Sequence, residues 1–387
     1  MLSEKATNIS PAATIEISAR IAELRRQGTN IISLNIGEPD YPTPENISQA
    51  AKSAIDAHFT KYQPVPGILE LREAICKKFK TDNGLTYQPN EICVSAGAKQ
   101  AVFNAVFVLC GEGDEVIIPT PCWVSYSEIV KLVGATPVYV PCAPEENFDL
   151  NLTGIRSAIS SRTKAILINT PNNPTGAVYS EQTLRALGEL AVEHGFIIIS
   201  DEIYAELTYG QTHCSIATLP GMWERTIVVN GFSKAYAMTG WRLGYSCAPA
   251  PIIKQMLKLH QYGIMCASTA SQFAGVEAVN HGDADIEYMK EQYNFRRTYV
   301  TNRLEKMNIP CFEPEGAFYV FPCISGYGMK SETFCERLMN ERGVAIVPGS
   351  AFGAGSEGFA RISYAYSIDH LEEALNRMEA FLADITG

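Results

Sequence analysis

Between about Glu91 and Ala248 the chain alternates short apolar runs with stretches of helical texture. The runs are Glu115-Val-Ile-Ile118, Pro137-Val-Tyr-Val140, Lys164-Ala-Ile-Leu-Ile168, Phe196-Ile-Ile-Ile199 and Thr226-Ile-Val-Val229. Runs that are apolar on both faces and separated by helices predict a buried, mostly parallel sheet with helices packed on it, because a parallel pair needs a long crossover. Helix starts are marked as well. Thr43-Pro44-Glu45 combines an N-cap type, a first-turn proline and an acid, and Ser180 precedes Glu181 in the same sense.

After about residue 285 the texture changes to a smaller unit with strand-like Ala317-Phe-Tyr-Val-Phe321, Val344-Ala-Ile-Val347 and Phe359-Ala-Arg-Ile-Ser-Tyr364. The last helix carries Leu371, Leu375, Met378, Leu382 and Ile385 on one face. The residues before Thr43 are too few for a core of their own and are expected to pack on this second unit. The expected class is α/β, with a large domain over 44–285 and a smaller α/β domain made of 1–43 and 286–387.

Composition narrows the function classes. The 387 residues are 46% hydrophobic and 19% charged, ordinary for a globular chain with room for two cores. The net charge is −11 and the basic residues are scattered, which argues against a nucleic-acid surface, so any anionic ligand must be met by a local pocket. Eleven cysteines form no CxxC pair and no zinc-like array with the six histidines. They read as reduced thiols, the expected location is cytoplasmic, and no leader-like or membrane-spanning apolar run is found.

Chemistry sits at the ends of the apolar runs. Ile168 is followed by Asn169-Thr-Pro-Asn-Asn-Pro-Thr-Gly176, Ser200 by Asp201-Glu-Ile-Tyr204, and Val229 by Asn230-Gly-Phe-Ser-Lys234. In an open α/β sheet the carboxyl ends of the strands line the ligand crevice, so Asn173, Asp201, Tyr204 and Lys234 are expected to converge. A lysine just past a buried strand has its charged form disfavoured, leaving the neutral amine that Schiff-base chemistry needs. With Asp201 on a ring nitrogen and Asn173 and Tyr204 on a phenolic oxygen, the set is complementary to pyridoxal 5′-phosphate. Ser95-Ala-Gly-Ala-Lys-Gln-Ala101, a small-residue turn opening a helix, offers a phosphate site, to which Ser233 and Arg242 could add donors.

These residues, with Asn35-Ile-Gly-Glu-Pro-Asp40, Pro171-Asn-Asn-Pro-Thr-Gly176 and Arg361-Ile-Ser-Tyr364, make nearly the whole chain resemble the pyridoxal-phosphate-dependent aminotransferases of fold type I, class I/II, the aspartate and aromatic aminotransferase family. The resemblance implies Lys234 as the Schiff-base lysine, Asp201 at the pyridine nitrogen, and Asn173 and Tyr204 at the ring oxygen. It further implies Trp123 stacked on the ring, Gly97, Ala98, Lys99 and Arg242 at the phosphate, and Arg361, with Gly37 beside it, at the substrate α-carboxylate. Tyr62 would reach the phosphate of a neighbouring subunit, giving a homodimer with shared sites. Many members have Ser-x-Ser-Lys where this chain has Gly231-Phe-Ser-Lys234, so one phosphate-binding hydroxyl is missing and weaker or rearranged anchoring is expected.

The implied activity is transfer of the amino group of an aspartate-type or aromatic amino acid to a 2-oxo acid such as 2-oxoglutarate. A pyridoxal-phosphate β-eliminating lyase of the C–S type would use the same anchors. Lys258-Leu-His-Gln-Tyr262 looks closer to members that accept aromatic side chains. Taken singly, Trp123 reads more readily as core and Asp201 equally well as a helix cap, whereas Arg361, a structural ion by the bland reading, reads better as functional because a buried guanidinium needs an anion, so the weight rests on the set. Gly353-Ala-Gly-Ser-Glu-Gly358 matches a dinucleotide fingerprint but precedes a strand-like segment instead of opening a helix, and reads as a loop.

Overall fold

The computed structural model describes residues 4–11 and 13–386. Seven strands form the central sheet: β2 (Ile92–Ser95), β3 (Glu115–Thr120), β4 (Thr136–Pro141), β5 (Thr163–Asn169), β6 (Ile197–Asp201), β7 (Thr226–Gly231) and β8 (Gly244–Cys247). Their order is β2-β8-β7-β6-β5-β3-β4. The pairs from β7 through β4 are parallel, whereas β8 is antiparallel to both of its neighbours.

Alternation along the strands explains why the sheet is covered on both faces. Val116, Ile118, Leu167, Ile199, Ile227 and Val229 pack into one cluster with Ala101, Val102, Ile129 and Ile253, which lie on helices Ala98–Leu109, Ser125–Leu132 and Ala250–Gly263. Ile117, Ile166, Ile168 and Ile198 point the other way and meet Ile155, Leu184 and Leu187, on helices Leu152–Ala158 and Glu181–His194. β4 departs from the expected both-face burial. It is one of the two edge strands, and only Val140 of its six residues is buried; its apolar run fits an edge as well as a centre, and nothing local tells them apart.

The C-terminal part carries β9 (Tyr319–Val320), β11 (Val347–Pro348) and β12 (Ala360–Ser363) in one antiparallel sheet, ordered β11-β12-β9. The strand-like stretches 317–321 and 344–347 are therefore shorter than expected, the second being split between β10 (Val344–Ala345) and β11. β1 (Ile32–Ser33) pairs in parallel with β10. Leu371, Leu375, Met378 and Leu382 of helix Ile368–Thr386 are buried in its core, with Ile385 partly buried beside them.

Ser180 caps its helix as expected, accepting from the Thr183 N–H at 3.1 Å. Thr43 does not cap: the N-cap of helix Glu45–Asp56 is Pro44. The Thr43 hydroxyl instead donates to Ala237 O at 2.7 Å and accepts from Trp241 Nε1 at 2.9 Å, a tertiary use that local propensity cannot foresee. Residues 353–358 are irregular loop, and all eleven cysteines are free. Among the described residues no helix is long and apolar enough to cross a membrane, and no cluster of three metal-ligating side chains occurs.

Candidate active site

Register brings the strand-end residues together. Asn169 of β5 sits opposite Asp201 of β6, which sits opposite Val229 of β7. Asn173 follows Asn169 by four residues and Lys234 follows Val229 by five, so short turns deliver both side chains to the same sheet edge. A cavity of about 380 Å³ opens there, lined by Ala98, Lys99, Trp123, Asn173, Asp201, Tyr204, Ser233, Lys234, Arg242, Gly37 and Arg361 among others. Of the residues expected at the site, Gly97 lies just behind the lining, and Tyr62 is 84% exposed and outside it. The stretch Lys258–Tyr262 does not line the cavity: it lies on helix Ala250–Gly263, with His260 buried and Tyr262 on the surface.

Burial lowers the Lys234 amine to about 8, the Glu38 charge opposing and Arg361 and Arg242 reinforcing the fall. Its Nζ donates to Gly37 O at 2.6 Å. Asp201 is buried, and desolvation raises its carboxyl to about 6 against the hydrogen bonds that favour the anion. Those bonds come from the Tyr126 hydroxyl to Oδ2 at 2.7 Å and from the Ile203 N–H to Oδ1 at 3.2 Å. The Tyr204 hydroxyl shares a 2.8 Å bond with the Tyr319 hydroxyl.

Arg361 occupies β12, where Ala360 and Ile362 enter the C-terminal core and the residue between them faces the opposite way, into the cavity. Its guanidinium is buried, donating to Asn173 Oδ1 at 2.9 Å and to Asn35 O at 2.5 Å, and lies 4.6 Å from the Tyr319 ring. Nε has no partner, and no carboxylate of the described residues pairs with this charge.

The chain's own atoms fit pyridoxal phosphate. The cavity offers an amine with a depressed pKa, a buried carboxylate to face a ring nitrogen and a buried guanidinium with donor capacity to spare. At the phosphate end, Gly97 has φ +83° and opens helix Ala98–Leu109; a Cβ there would lie 2.6 Å from Arg242 Nη2, so only glycine lets this cation approach the helix start. Lys99 stands 4.7 Å from the Trp123 ring, and burial, reinforced by the adjacent Arg242 charge, lowers its amine. A Cβ at Gly231 would meet Gly244 Cα at 3.0 Å and Leu243 O at 3.1 Å, so a serine at the position of the hydroxyl missing from Gly231-Phe-Ser-Lys234 would need β7 and β8 to separate by a few tenths of an ångström.

Among the lining residues that were not foreseen, Tyr126, Asn169 and Tyr319 bond the site's own groups. Tyr126 lies within the Trp123 segment and Asn169 heads the Asn-Thr-Pro-Asn-Asn turn, where its side chain bonds Asp201 O at 2.8 Å and receives the Asn173 N–H at 2.9 Å. A polar side chain at the last position of a buried strand was a usable signal for Asn169. Tyr319 had none, because it comes from the other sheet.

Residues 29–378 match the family model for aminotransferase class I and II. The chain is 46% identical to an aspartate aminotransferase of Pyrococcus abyssi, over 92% of each chain. It is 43% identical to aromatic-amino-acid aminotransferase 2 of Thermococcus litoralis, over 94% of this chain and 95% of the relative. Among solved structures, aspartate aminotransferase from Thermus thermophilus with maleate superimposes with a TM-score of 0.95 at 42% identity, covering 98% of this chain and 99% of that one. These relatives are transaminases and give the β-eliminating lyase no support. A strand-end lysine in such a cavity, in a chain matched along nearly its whole length, places the protein among the class I and II aminotransferases, which work with pyridoxal 5′-phosphate.

Proposed function

We propose that this aminotransferase passes the α-amino group of an aspartate-type or aromatic amino acid to a 2-oxo acid such as 2-oxoglutarate, with Lys234 as its proton-transferring residue. The observation that carries this reading is one cavity holding the Lys234 amine, lowered to about 8, together with the Asp201 carboxylate and the unneutralised Arg361 guanidinium. Bound pyridoxal phosphate supplies an aldehyde for the amino group and a ring that takes up the charge left when Cα loses its proton.

Lys234 would hold that aldehyde between turnovers and, once released, take the Cα proton on Nζ and give it back on the cofactor side. Asp201, kept anionic at neutral pH by Tyr126 and the Ile203 N–H, would hold a proton on the ring nitrogen. Asn173 and Tyr204 would bond the ring oxygen and Trp123 would cover the ring face. Gly97, Ala98, Lys99, Ser233 and Arg242 would take the phosphate. Arg361, with Gly37 beside it, would clamp the substrate α-carboxylate.

We further assign the chain to the cytoplasm, as a homodimer in which Tyr62 reaches the neighbouring site, with domains at 44–285 and at 1–43 plus 286–387. Eleven free thiols support the first point. The exposed Phe59, Tyr62, Tyr262, Ile264 and Met265 support the second, and the pairing of β1 with β10 supports the domain division. The test is a spectral titration of the purified, yellow protein with a panel of amino acids. Donors convert the bound cofactor to its pyridoxamine form, and failure of aspartate and of every aromatic donor overturns the substrate assignment.

A further inference from the structure

Directly after Asp201, and outside the active-site cavity, lies a second buried carboxylate that the chemistry above does not use. Glu202 is 2% exposed and lines a separate cavity of about 320 Å³. Its Oε1 accepts from the Ser200 hydroxyl at 3.0 Å and from the Ser215 hydroxyl at 2.7 Å, and its Oε2 accepts from His213 Nε2 at 2.9 Å. All three donors are themselves buried.

The connectivity of this cluster is its main feature. Ser200 belongs to β6, and His213 and Ser215 belong to the loop that leads into the short helix Ile216–Thr218, so Glu202 ties that loop to the end of β6. The Glu202 N–H also donates to Val229 O at 2.8 Å, which adds β7. Between these anchors runs the turn Glu202–Tyr204, whose side chains on the active-site side are Ile203 and Tyr204. Asp201 enters the turn on its active-site side and Glu202 grips it from the other. A charge buried among three donors is costly to form and strongly directional once formed, which suits it to fixing geometry.

We propose that Glu202, held by Ser200, His213 and Ser215, is a positioning residue that sets the Asp201–Tyr204 turn against the cofactor from behind the sheet edge. Glu202 also adds a negative charge beside Asp201 and so helps raise the Asp201 carboxyl. The charged groups around the cluster, from every element bordering that cavity, are Lys78 and Asp82 on the helix Leu69–Asn83, Glu206 in the turn, and Asp283, Glu287 and Lys290 on the helix Asp283–Lys306. Lys78 pairs with both Asp82 and Glu206.

The inference rests on the reading that Asp201 and Tyr204 face the cofactor. The test titrates cofactor-free Glu202→Ala, Glu202→Gln and His213→Gln with pyridoxal phosphate, and follows the absorbance and circular dichroism of the bound cofactor against pH. Leu375→Ala, in the C-terminal core, controls for general destabilisation. Glu202→Ala and His213→Gln are expected to weaken cofactor binding by about 10-fold, the low end of the roughly 10- to 100-fold loss seen when the outer partner of a metal ligand is removed, with an altered dichroism signal. Glu202→Gln, which keeps the acceptor for both serines, should recover most of the affinity while shifting the pH midpoint of the bound cofactor. Should Glu202→Ala fail to fold, His213→Gln and Ser215→Ala carry the test. If all of these bind cofactor and respond to pH as the unaltered protein does, the inference is overturned. Asp201→Ala separates the two readings: should it leave cofactor binding intact, the assignment of Asp201 fails; should it abolish binding while the Glu202 and His213 variants do nothing, only the present inference fails.

Discussion

Two buried arginines divide this molecule into a region whose charges are met and one whose charges are not. Arg296 donates to Asp40 Oδ1 at 2.7 Å and to the Tyr41 hydroxyl at 3.0 Å, and its guanidinium lies 5.2 and 5.6 Å from the ring centres of Tyr41 and Tyr293. Arg361 is as thoroughly buried, yet its partners are a side-chain amide and a backbone carbonyl, its Nε has none, and no carboxylate of the described residues answers it. The first arrangement is complete within the chain and serves folding. The second is a buried charge held ready by neutral acceptors, a costly state that becomes favourable when an anion arrives. Lys234 lies in the same unmet region, and the Arg361 charge helps to lower its amine.

Variants in the two regions should fail in opposite ways. The largest effect is expected from Lys234→Ala, which should retain cofactor but lose turnover by ~10⁴-fold, the upper range for one proton-transferring side chain, with the melting temperature of the cofactor-free protein nearly unchanged. Arg361→Met should lower kcat/KM for every amino acid by roughly 30- to 5,000-fold, since truncating one member of a buried charge pair costs about 2–5 kcal/mol, without loss of folding stability. Arg296→Met should do the reverse. Its loss of about 2–4 kcal/mol in chemical denaturation follows from stranding Asp40, which partly reaches solvent, and kcat/KM per folded molecule should change only a few-fold. If Arg361→Met unfolds the chain as readily as Arg296→Met, the distinction between the regions collapses.

Smaller effects test the electrostatics. Tyr126→Phe removes a hydrogen bond to a carboxylate and should weaken cofactor binding by about 10-fold, roughly 1.5 kcal/mol. Because that bond holds the Asp201 carboxyl down, its loss should push Asp201 above about 6, and the loss of cofactor on acidification should begin at a higher pH than in the unaltered protein. In the cofactor-free chain, reaction of Lys234 with a carbonyl reagent should rise with pH through a midpoint near 8, where the ammonium loses its proton. Arg361→Met removes a neighbouring positive charge, favours the ammonium and should move that midpoint upward; Arg296→Met should leave it in place.

Much of the site was legible because strand ends are legible. Asn173, Asp201 and Lys234 each follow a buried apolar run, and a parallel sheet carries such residues to a common edge whatever the side chains in between. Arg361 was visible as a charge in an otherwise apolar strand. Tyr319 was not, since its pairing with Tyr204 joins β9 to the turn after β6 across 115 residues of chain. Thr43 was misread for a related reason, its local capping preference losing to a carbonyl 194 residues away. β4 was read as buried, although its place at the edge follows only from the strand order.

The sequence by itself determined the chemistry on offer: which apolar runs become strands, and which amine, carboxylate, amide and guanidinium stand at their ends. Periodicity and covalent neighbourhood act over a few residues, so these features survive without knowledge of the fold. Only the tertiary structure decided which charges are satisfied. Whether Arg361 meets a carboxylate, whether Asp201 is held by Tyr126, and whether Glu202 grips its turn from behind depend on residues brought together across dozens to hundreds of positions. The energies at stake there are those of desolvated charges, set by three-dimensional surroundings that no local pattern encodes.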